Sequence, residues 1–277
     1  MSRRPLWVQA VRLVALALAV LWSALPILFV VLASIRPARE IFTFPPRFLF
    51  VPTFENYVAL FERWPAFFDA LGNSLIVATG ATLLTVIATT LSGYVYARYR
   101  SKTLAGSAFF TIFIRMLPPI VITLPLFPVV NLLRLNDTHL ILILLYATFF
   151  VSLNTWIMKA FIDQIPKELD DAAVVDGATL MQVVRHVIVP LSLQGMIAAS
   201  TFVLIFSWNE FLFAFIFTTT DAKTAPLILS EMLGALDGVE WGVLFAAATV
   251  QLAPILVFVV AVQKYVIAGM TAGALKG

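Results

Sequence analysis

The sequence predicts an all-α integral membrane protein with six transmembrane helices and a charged, helical cytoplasmic segment between the fourth and fifth. Hydrophobic residues make up 61% of the chain and charged residues only 12%, against about 25% charged in an average soluble domain. Several apolar runs reach the ~20 residues that a helix needs to cross a bilayer. One stretch departs from this pattern, because residues 165–190 read IPKELDDAAVVDGATLMQVVRHVIVP.

The composition excludes several classes of site. The chain has no cysteine, so disulfides, thiolate metal sites and a cysteine nucleophile are excluded. The only histidines, His139 and His186, fall near opposite membrane faces and cannot share a metal ion. The net charge of +3 is better explained by an excess of lysine and arginine in the cytoplasmic loops than by an affinity for nucleic acid. We therefore expect no metal site, no catalytic site and no nucleic-acid partner.

Six apolar runs are long enough to be the transmembrane helices. Proline is tolerated in such helices when neighbouring groups satisfy the freed carbonyls. The third run contains Pro118, Pro119, Pro125 and Pro128, and we expect it to be kinked or broken. The six runs cover about residues 13–35, 72–97, 104–131, 139–161, 190–218 and 243–263.

Lysine and arginine residues predict the orientation. Eleven fall on one side of the predicted helices, six fall on the other, and Arg115 lies within a helix. Cytoplasmic loops carry the excess of positive charge, so both termini and the 165–190 segment are expected in the cytoplasm. The eleven are Arg3, Arg4, Arg12, Arg98, Arg100, Lys102, Lys159, Lys167, Arg185, Lys264 and Lys276, and the six are Arg36, Arg39, Arg47, Arg63, Arg134 and Lys223.

The 165–190 segment is predicted to form two short helices joined by a turn. Acidic residues at its start favour the positive end of a helix dipole. Asp176-Gly177 is a turn dipeptide that ends the first helix, and Thr179 with Gln182 matches the capping box of a second. The pattern alone leaves two interpretations open, a docking element for another protein or an amphipathic linker on the membrane surface.

The stretch DAAVVDGATLMQVVRHVIVP resembles the signature of permease subunits of binding-protein-dependent ABC importers. That signature reads Glu-Ala-Ala, three residues, Gly, nine residues, Ile-x-Leu-Pro. Here Asp171 replaces the glutamate, and the spacing is intact. The other positions are Ala172, Ala173, Gly177 and Pro190, which match, and Val187 and Val189, which replace Ile and Leu.

Further stretches extend the resemblance over nearly the whole chain. ENYVALF, RMLPPIVITLPLF, LRLNDTHLILILLY and SWNEFLFAFIF are similar to segments of sugar-type permeases. The terminal GMTAGALKG is similar to the tail of the second, six-helix permease subunit of maltose-type importers. The resemblance implies one permease domain over 1–277, with an importer core at about 72–263, a cytoplasmic coupling loop at 163–189 and a cytoplasmic tail at 264–277.

The resemblance also implies a set of partners in a bacterial-type cytoplasmic (inner) membrane. Two permease subunits form the pore, a cytosolic ATPase dimer drives it, and an extracytoplasmic solute-binding protein delivers a carbohydrate. The residues expected to couple to the ATPase are Asp171, Ala172, Ala173, Asp176 and Gly177. The chain has no Gly-Lys dipeptide and hence no P-loop, so we expect no enzyme activity and no cofactor here, with ATP and Mg on the partner ATPase.

Residues 219–241 form a long acidic loop, predicted on the outer side of the membrane. The apolar centre, LILSEMLGAL, predicts a short helix that packs against another surface. The resemblance implies that this loop contacts the binding protein, and the candidate contacts are Leu227, Glu231 and Asp237.

Arg115 and Glu210 are the charged residues predicted well inside helices. Charges there are costly and usually face a bundle interior or an aqueous path. The two residues are therefore expected to pair with each other or to line the pore, together with Asn209. Four aromatic residues near them either stack on a sugar or pack on protein and lipid, namely Phe206, Trp208, Phe211 and Phe213.

Two other functions compete with the importer, a secondary transporter and a membrane scaffold with an amphipathic cytoplasmic linker. A secondary transporter typically shows inverted repeats with paired broken helices, and the sequence shows no internal repeat. A scaffold does not explain the spacing of the signature. The identity of the carbohydrate is not predicted.

Overall fold

The computed structural model describes residues 6–45, 47, 49–236 and 238–274. Within these ranges the chain is helical and contains no strand. Four helices are long and apolar enough to cross a bilayer, and the number of crossings reaches six when each of two bent helix pairs counts as one. The predicted class, an all-α membrane protein, is confirmed.

The helices follow one another along the chain, and the connection from α1 to α2, residues 35–54, is the longest between them. They are α1 (Leu6–Ser34), α2 (Glu55–Arg63), α3 (Pro65–Arg98), α4 (Lys102–Arg115), α5 (Pro119–Leu132), α6 (His139–Ile162), α7 (Glu168–Val175), α8 (Leu180–Val183), α9 (Val189–Leu191), α10 (Leu193–Trp208), α11 (Leu212–Phe217), α12 (Ala225–Leu233) and α13 (Trp241–Ala274). A 3₁₀ turn, Ala38–Glu40, lies between α1 and α2, and a π turn, Val184–Ile188, joins α8 to α9.

Two predicted crossings are interrupted. The run 104–131 divides into α4 and α5, whose axes differ by 97°. Pro118 and Pro119 stand at this break, and Pro119 begins α5, where its missing N–H has no helical partner to lose. The run 190–218 breaks twice. The helical stretch that ends at Leu191 and α10, which begins at Leu193, differ in direction by 79°. Helix α10 then ends at Trp208, and α11 begins only at Leu212.

Three helices extend past their predicted ends. Helix α1 begins at Leu6, α3 at Pro65, and α13 continues to Ala274. The predicted bounds followed the apolar runs, whereas helical hydrogen bonding continues into the polar flanks of each run. Residues 264–274 of the predicted cytoplasmic tail therefore belong to a helix.

The chain divides into two compact units. The first contains Met1–Phe68 and Leu229–Ala253. In it the amide of Asn56 donates to the carbonyls of Ser34 and Arg36, at 2.8 Å each. Arg63 and Glu240 form an ion pair. These contacts join α2 to the end of α1 and to the start of α13.

The second unit, Asp69–Ile228 with Pro254–Gly277, contains the larger core. Helices α3 and α6 approach closely at Gly93, where an added Cβ would lie 3.0 Å from the backbone nitrogen of Lys159. Ser92 and Thr155 share a hydrogen bond of 2.8 Å across the same contact. Small residues and short hydroxyl bonds at helix contacts are typical of membrane proteins. Apolar side chains from α3, α5, α6, α10 and α11 fill the remaining core.

Candidate coupling site

The 165–190 segment contains two short helices joined by a turn, as predicted. Helix α7 ends before Gly177, whose φ is +87°. The side chain of Gln182 accepts a hydrogen bond of 2.7 Å from the backbone N–H of Thr179, as a capping box requires. The structure adds one unpredicted feature, the π turn Val184–Ile188, after which the chain continues through Pro190.

A buried ion pair fixes the start of this segment to the end of α3. The guanidinium Nε of Arg98 lies 2.8 Å from Oδ2 of Asp170, and Nη2 lies 3.4 Å from Oδ1. Other guanidinium N–H groups donate to the carbonyls of Ile162, at 3.3 Å, and Ile165, at 3.0 Å. The two side chains are only 7% and 6% exposed. Arg98 therefore ties together α3, the end of α6 and α7.

Apolar side chains continue this attachment through α8 and the π turn. Val183, Val184 and Ile188 are buried and pack in one cluster with Met158 and Ile162 of α6. The cluster also contains side chains of α3. One side of the segment is thus packed into the folded helical core.

The opposite side of the segment is uncovered. Asp171, Ala172, Asp176 and Gly177 are exposed, and Ala173 is half-buried. Clusters of exposed apolar side chains typically mark a contact with another protein or with a membrane. This exposed side is here called the coupling surface. Its large apolar side chains are Leu169, 43% exposed, Val174, 58%, Val175, 86%, Leu180, 52%, and Met181, 62%.

Gly177 combines a left-handed backbone with open space. Few residues other than glycine adopt its φ of +87° without strain. An added Cβ at this position meets no atom within 4 Å. A side chain placed there would therefore project from the coupling surface without disturbing the contacts of this chain.

Arg115 and Glu210 do not form a salt bridge in the part of the chain that the structure describes. Arg115 donates to the carbonyl of Phe149 at 3.0 Å, and its guanidinium lies 4.6 Å from the centre of the Phe149 ring. The carboxylate of Glu210 accepts from the backbone N–H of Phe213, at 3.0 and 3.2 Å, and so caps α11. Each charge therefore has a partner of its own. Of the two roles expected from the sequence, the pairing is not present in this structure, and the lining of the pore stays a prediction.

The residues beside Glu210 divide between surface and core. Asn209 is exposed, and its amide donates to the carbonyl of Ile205 at 2.8 Å. Trp208 and Phe213 are buried within the chain, whereas Phe206 is 51% exposed. The ring of Phe211 stacks on a neighbouring ring of α11, with 5.4 Å between centroids. Burial removes Trp208 and Phe213 from the aromatic candidates for stacking on a sugar.

The 219–241 loop contains the short helix that its apolar centre predicts, α12. Leu227 lies on this helix but is only 4% exposed, so it packs inside the protein and offers no surface to a partner. Glu231 is half-buried, and Asp237 lies outside the described residues. The large apolar side chains exposed in the described part of this loop are instead Leu233, at 51%, Leu236, at 103%, and Trp241, at 41%.

The sequence interpretation missed Arg98 and Asp170. Arg98 counted only as a positive loop charge and Asp170 only as one of several acids at a helix start. The sequence did contain a signal. Arg98 ends an apolar run and Asp170 lies beside the signature, and each charge is costly to bury unless it is paired. Their distance of 72 positions in the sequence hides the pairing.

Comparisons with known proteins agree with this architecture. The profile of the family described as "Binding-protein-dependent transport system inner membrane component" matches residues 89–272. The trehalose transport system permease protein SugB of Mycobacterium tuberculosis is 36% identical over 268 residues, which cover 94% of this chain and 95% of the relative. The trehalose/maltose transport system permease protein MalG of Thermococcus litoralis is 34% identical over 227 residues, covering 81% of this chain and 82% of the relative.

A solved structure shows the same fold. It is the crystal structure of a bacterial ABC transporter involved in the import of the acidic polysaccharide alginate, matched with a TM-score of 0.78 and 19% identity. The match covers 96% of this chain and 98% of that chain. This chain belongs to the family of binding-protein-dependent transport system inner membrane components.

Proposed function

We propose that this chain is one of two pore-forming subunits of an ATP-driven importer for a sugar, polyol or related carbohydrate. The observation that carries the proposal is the coupling surface, where the family signature occupies two short helices that are anchored on one side and bare on the other. Relatives named for trehalose and maltose transport support a carbohydrate as the cargo.

In this proposal each subunit of the importer has a separate role, and the residues of this chain define its own. Asp171, Ala172, Asp176 and Gly177 form an exposed site for a cytosolic ATPase, which holds ATP and Mg, and Ala173 supports this site from a half-buried position. The chain itself contributes to the pore and supplies no catalytic group. A second permease subunit completes the pore. A solute-binding protein meets the 219–241 loop at two of its most exposed apolar side chains, Leu233 and Leu236.

In this proposal α7 to α9 lie in the cytoplasm, the 219–241 loop lies outside, and both termini are cytoplasmic. Hydrogen bonds attach the two regions to opposite ends of α3. Asn73, near its start, donates to the carbonyl of Asp221, and Arg98, at its end, binds Asp170. The excess of lysine and arginine on the α7 side supports its cytoplasmic location.

The transport proposal is tested in proteoliposomes that contain the complete complex. We expect uptake of labelled trehalose or maltose to require the binding protein and ATP on the ATPase side, without an ion gradient. Uptake that needs an ion gradient and no ATP would instead indicate a secondary transporter. Stable assembly without any uptake of these and related carbohydrates would favour a scaffold.

The orientation has a separate test, because the chain is free of cysteine. Single cysteines introduced at the exposed positions Lys167 and Thr220 should react with a membrane-impermeant maleimide from opposite faces of the membrane. Labelling of both from the same face would overturn the arrangement of six crossings.

A further inference from the structure

Residues 219–224, here called the outer strip, connect α11 to α12 without regular helix. Backbone N–H groups in such a segment need acceptors from elsewhere, and one carboxylate provides most of them. Oδ1 of Asp137 accepts from the N–H groups of Thr219, at 3.1 Å, and Ala222, at 3.0 Å. Oδ2 accepts from the N–H groups of Thr220, at 2.9 Å, and Asp221, at 3.0 Å, and from the hydroxyl of Thr219, at 2.9 Å.

Asp137 itself is held in place by its backbone. It lies in the turn between α5 and α6 with φ +58°, a left-handed conformation that aspartate adopts more readily than most residues. Its N–H donates to the carbonyl of Phe217, the last residue of α11, at 2.8 Å. Burial of the carboxylate raises its pKa, but the hydrogen bonds from Asp221, Ala222 and Thr219 outweigh this effect and hold the pKa well below its usual range. The anchor is therefore a charged carboxylate.

Two residues in the third turn of α3 make a second attachment to the same strip. The amide of Asn73 donates to the carbonyls of Asp221, at 2.8 Å, and Lys223, at 3.0 Å. The Oδ1 atom of Asn73 lies 2.7 Å from Nε2 of His139, the first residue of α6. Ser74 accepts from the N–H of Ala225 at 2.9 Å. The outer strip is thus fixed to the third turn of α3, and Asn73 also contacts the first residue of α6.

Helix α6 connects this anchor to the 165–190 segment, here called the coupling segment. It starts two residues after Asp137, and its 24 residues extend over about 36 Å. The carbonyl of its last residue, Ile162, accepts a hydrogen bond from Arg98, which also binds Asp170 of the coupling segment. Tyr146 and Ile162 are fully buried along its length. One packed helix therefore has the outer strip at one end and the ATPase-docking segment at the other.

We propose that Asp137 is a positioning residue that passes the docking of the solute-binding protein from the outer strip through α6 to the coupling segment. The physical reason is that a displacement of the 219–241 loop by the binding protein moves α6 only if the outer strip between them is rigid. Without the anchor, the backbone of the irregular strip changes conformation and α6 stays in place. This inference rests on the proposed function, since it requires both the binding protein and the ATPase.

The test uses the complete complex in lipid nanodiscs and compares Asp137→Asn with Asp221→Asn. The first variant places an amide with a single acceptor oxygen where five donors converge. The second is the matched control, since it makes the same chemical change on an exposed side chain of the same strip and leaves the backbone groups of Asp221 in place. The readouts are the basal ATPase rate, the rate stimulated by substrate-loaded binding protein, and the amount of ATPase in the purified complex.

We expect Asp137→Asn to reduce the stimulation about tenfold, within the range of coupling between distant sites, while the basal rate and the ATPase content stay at wild-type values. Asp221→Asn should keep full stimulation, and Asp137→Glu should recover part of it because the negative charge is kept. A spin label on Asp221→Cys should report a more mobile strip when Asp137 is also changed to Asn.

Three outcomes would overturn the inference. They are full stimulation in Asp137→Asn, an equal loss in Asp221→Asn, and a basal rate that falls in parallel with the stimulated rate, which would indicate general damage. Failure of the proposed function is distinguishable, because the wild-type complex would then show no stimulation and retain no ATPase.

Discussion

The coupling segment and the outer strip lie at opposite ends of α6, and an aspartate anchors each of them in a different way. Asp170 pairs with the side chain of Arg98, and both are almost fully buried. Asp137 binds the backbone N–H groups of residues 219–222, and three of these four residues are exposed.

The difference follows from the backbone of each segment. The coupling segment is helical and satisfies most of its own N–H groups, so its acid is available for a side-chain partner. The outer strip has no regular structure, so its N–H groups depend on an acceptor from another part of the chain. Breaking the buried pair of Arg98 and Asp170 is costly, because it leaves a buried charge without a partner. Removing the carboxylate of Asp137 costs less, because water can partly satisfy the exposed N–H groups that it leaves.

The largest effect is expected from breaking the buried pair. Arg98→Met leaves the carboxylate of Asp170 buried without its cation and should destabilise the subunit by about 3–5 kcal/mol. The thermal midpoint of the purified complex in detergent should fall accordingly. Adding Asp170→Leu should recover part of the loss, because a buried pair replaced by apolar groups is often close to neutral. A double variant no more stable than Arg98→Met would count against a simple pair.

A smaller effect is expected from the outer anchor. Asp137→Asn should destabilise the subunit by roughly 1–3 kcal/mol, the usual cost of removing an acceptor from its donors, and less than Arg98→Met in the same thermal assay. The comparison between the two ends fails if Asp137→Asn lowers the midpoint further than Arg98→Met does.

The smallest effect concerns pH. The pKa of Asp137 is lowered in the folded protein, so its contribution to stability is present above the ordinary aspartate pKa of about 3.9 and is lost only as pH falls through the lowered value. The mobility of a spin label on Asp221→Cys should therefore stay constant between about pH 5 and pH 8. His139 contacts the same network, with its Nε2 2.7 Å from Oδ1 of Asn73, while the amide N–H groups of Asn73 bind the outer strip. A rise in mobility toward the acid end of this range would contradict the lowered pKa.

Much of the architecture is predictable from local patterns in the sequence. The apolar runs identify the membrane helices, and Pro118 with Pro119 predicts the break between α4 and α5. The turn at Gly177 and the capping box of Thr179 and Gln182 are each defined within a few residues, and the structure confirms both. Such features are predictable because the groups that cause them are neighbours in the chain.

The anchors were not predictable in the same way, because each joins residues far apart. Arg98 meets Asp170 across 72 positions, and Asp137 meets Thr219 across 82. A linear sequence shows that each of these residues is charged or polar, but it does not show which distant element will lie beside it.

Arg115 and Leu227 show the converse difficulty. Charge alone suggested Glu210 as the partner of Arg115. In the structure the guanidinium of Arg115 instead contacts the backbone carbonyl and the aromatic ring of Phe149. Leu227 was expected at a partner surface, yet it is buried. An apolar residue on a helix as short as α12 gives too little periodicity to tell the buried face from the exposed one.

The central claim, that the coupling surface docks an ATPase, is tested most directly by two glycines. Gly177 and Gly238 have similar left-handed φ values, +87° and +95°, and an added Cβ meets no atom within 4 Å at either. Replacing each by aspartate therefore imposes a similar backbone cost of roughly 1 kcal/mol, but only Gly177 lies on the coupling surface. The measurement is the amount of ATPase that co-purifies with the tagged permease from membranes. We predict that Gly177→Asp loses most of the ATPase and that Gly238→Asp retains it at the wild-type ratio, with both variants inserted at normal levels. Wild-type ATPase content in Gly177→Asp, or an equal loss in both variants, would contradict the account.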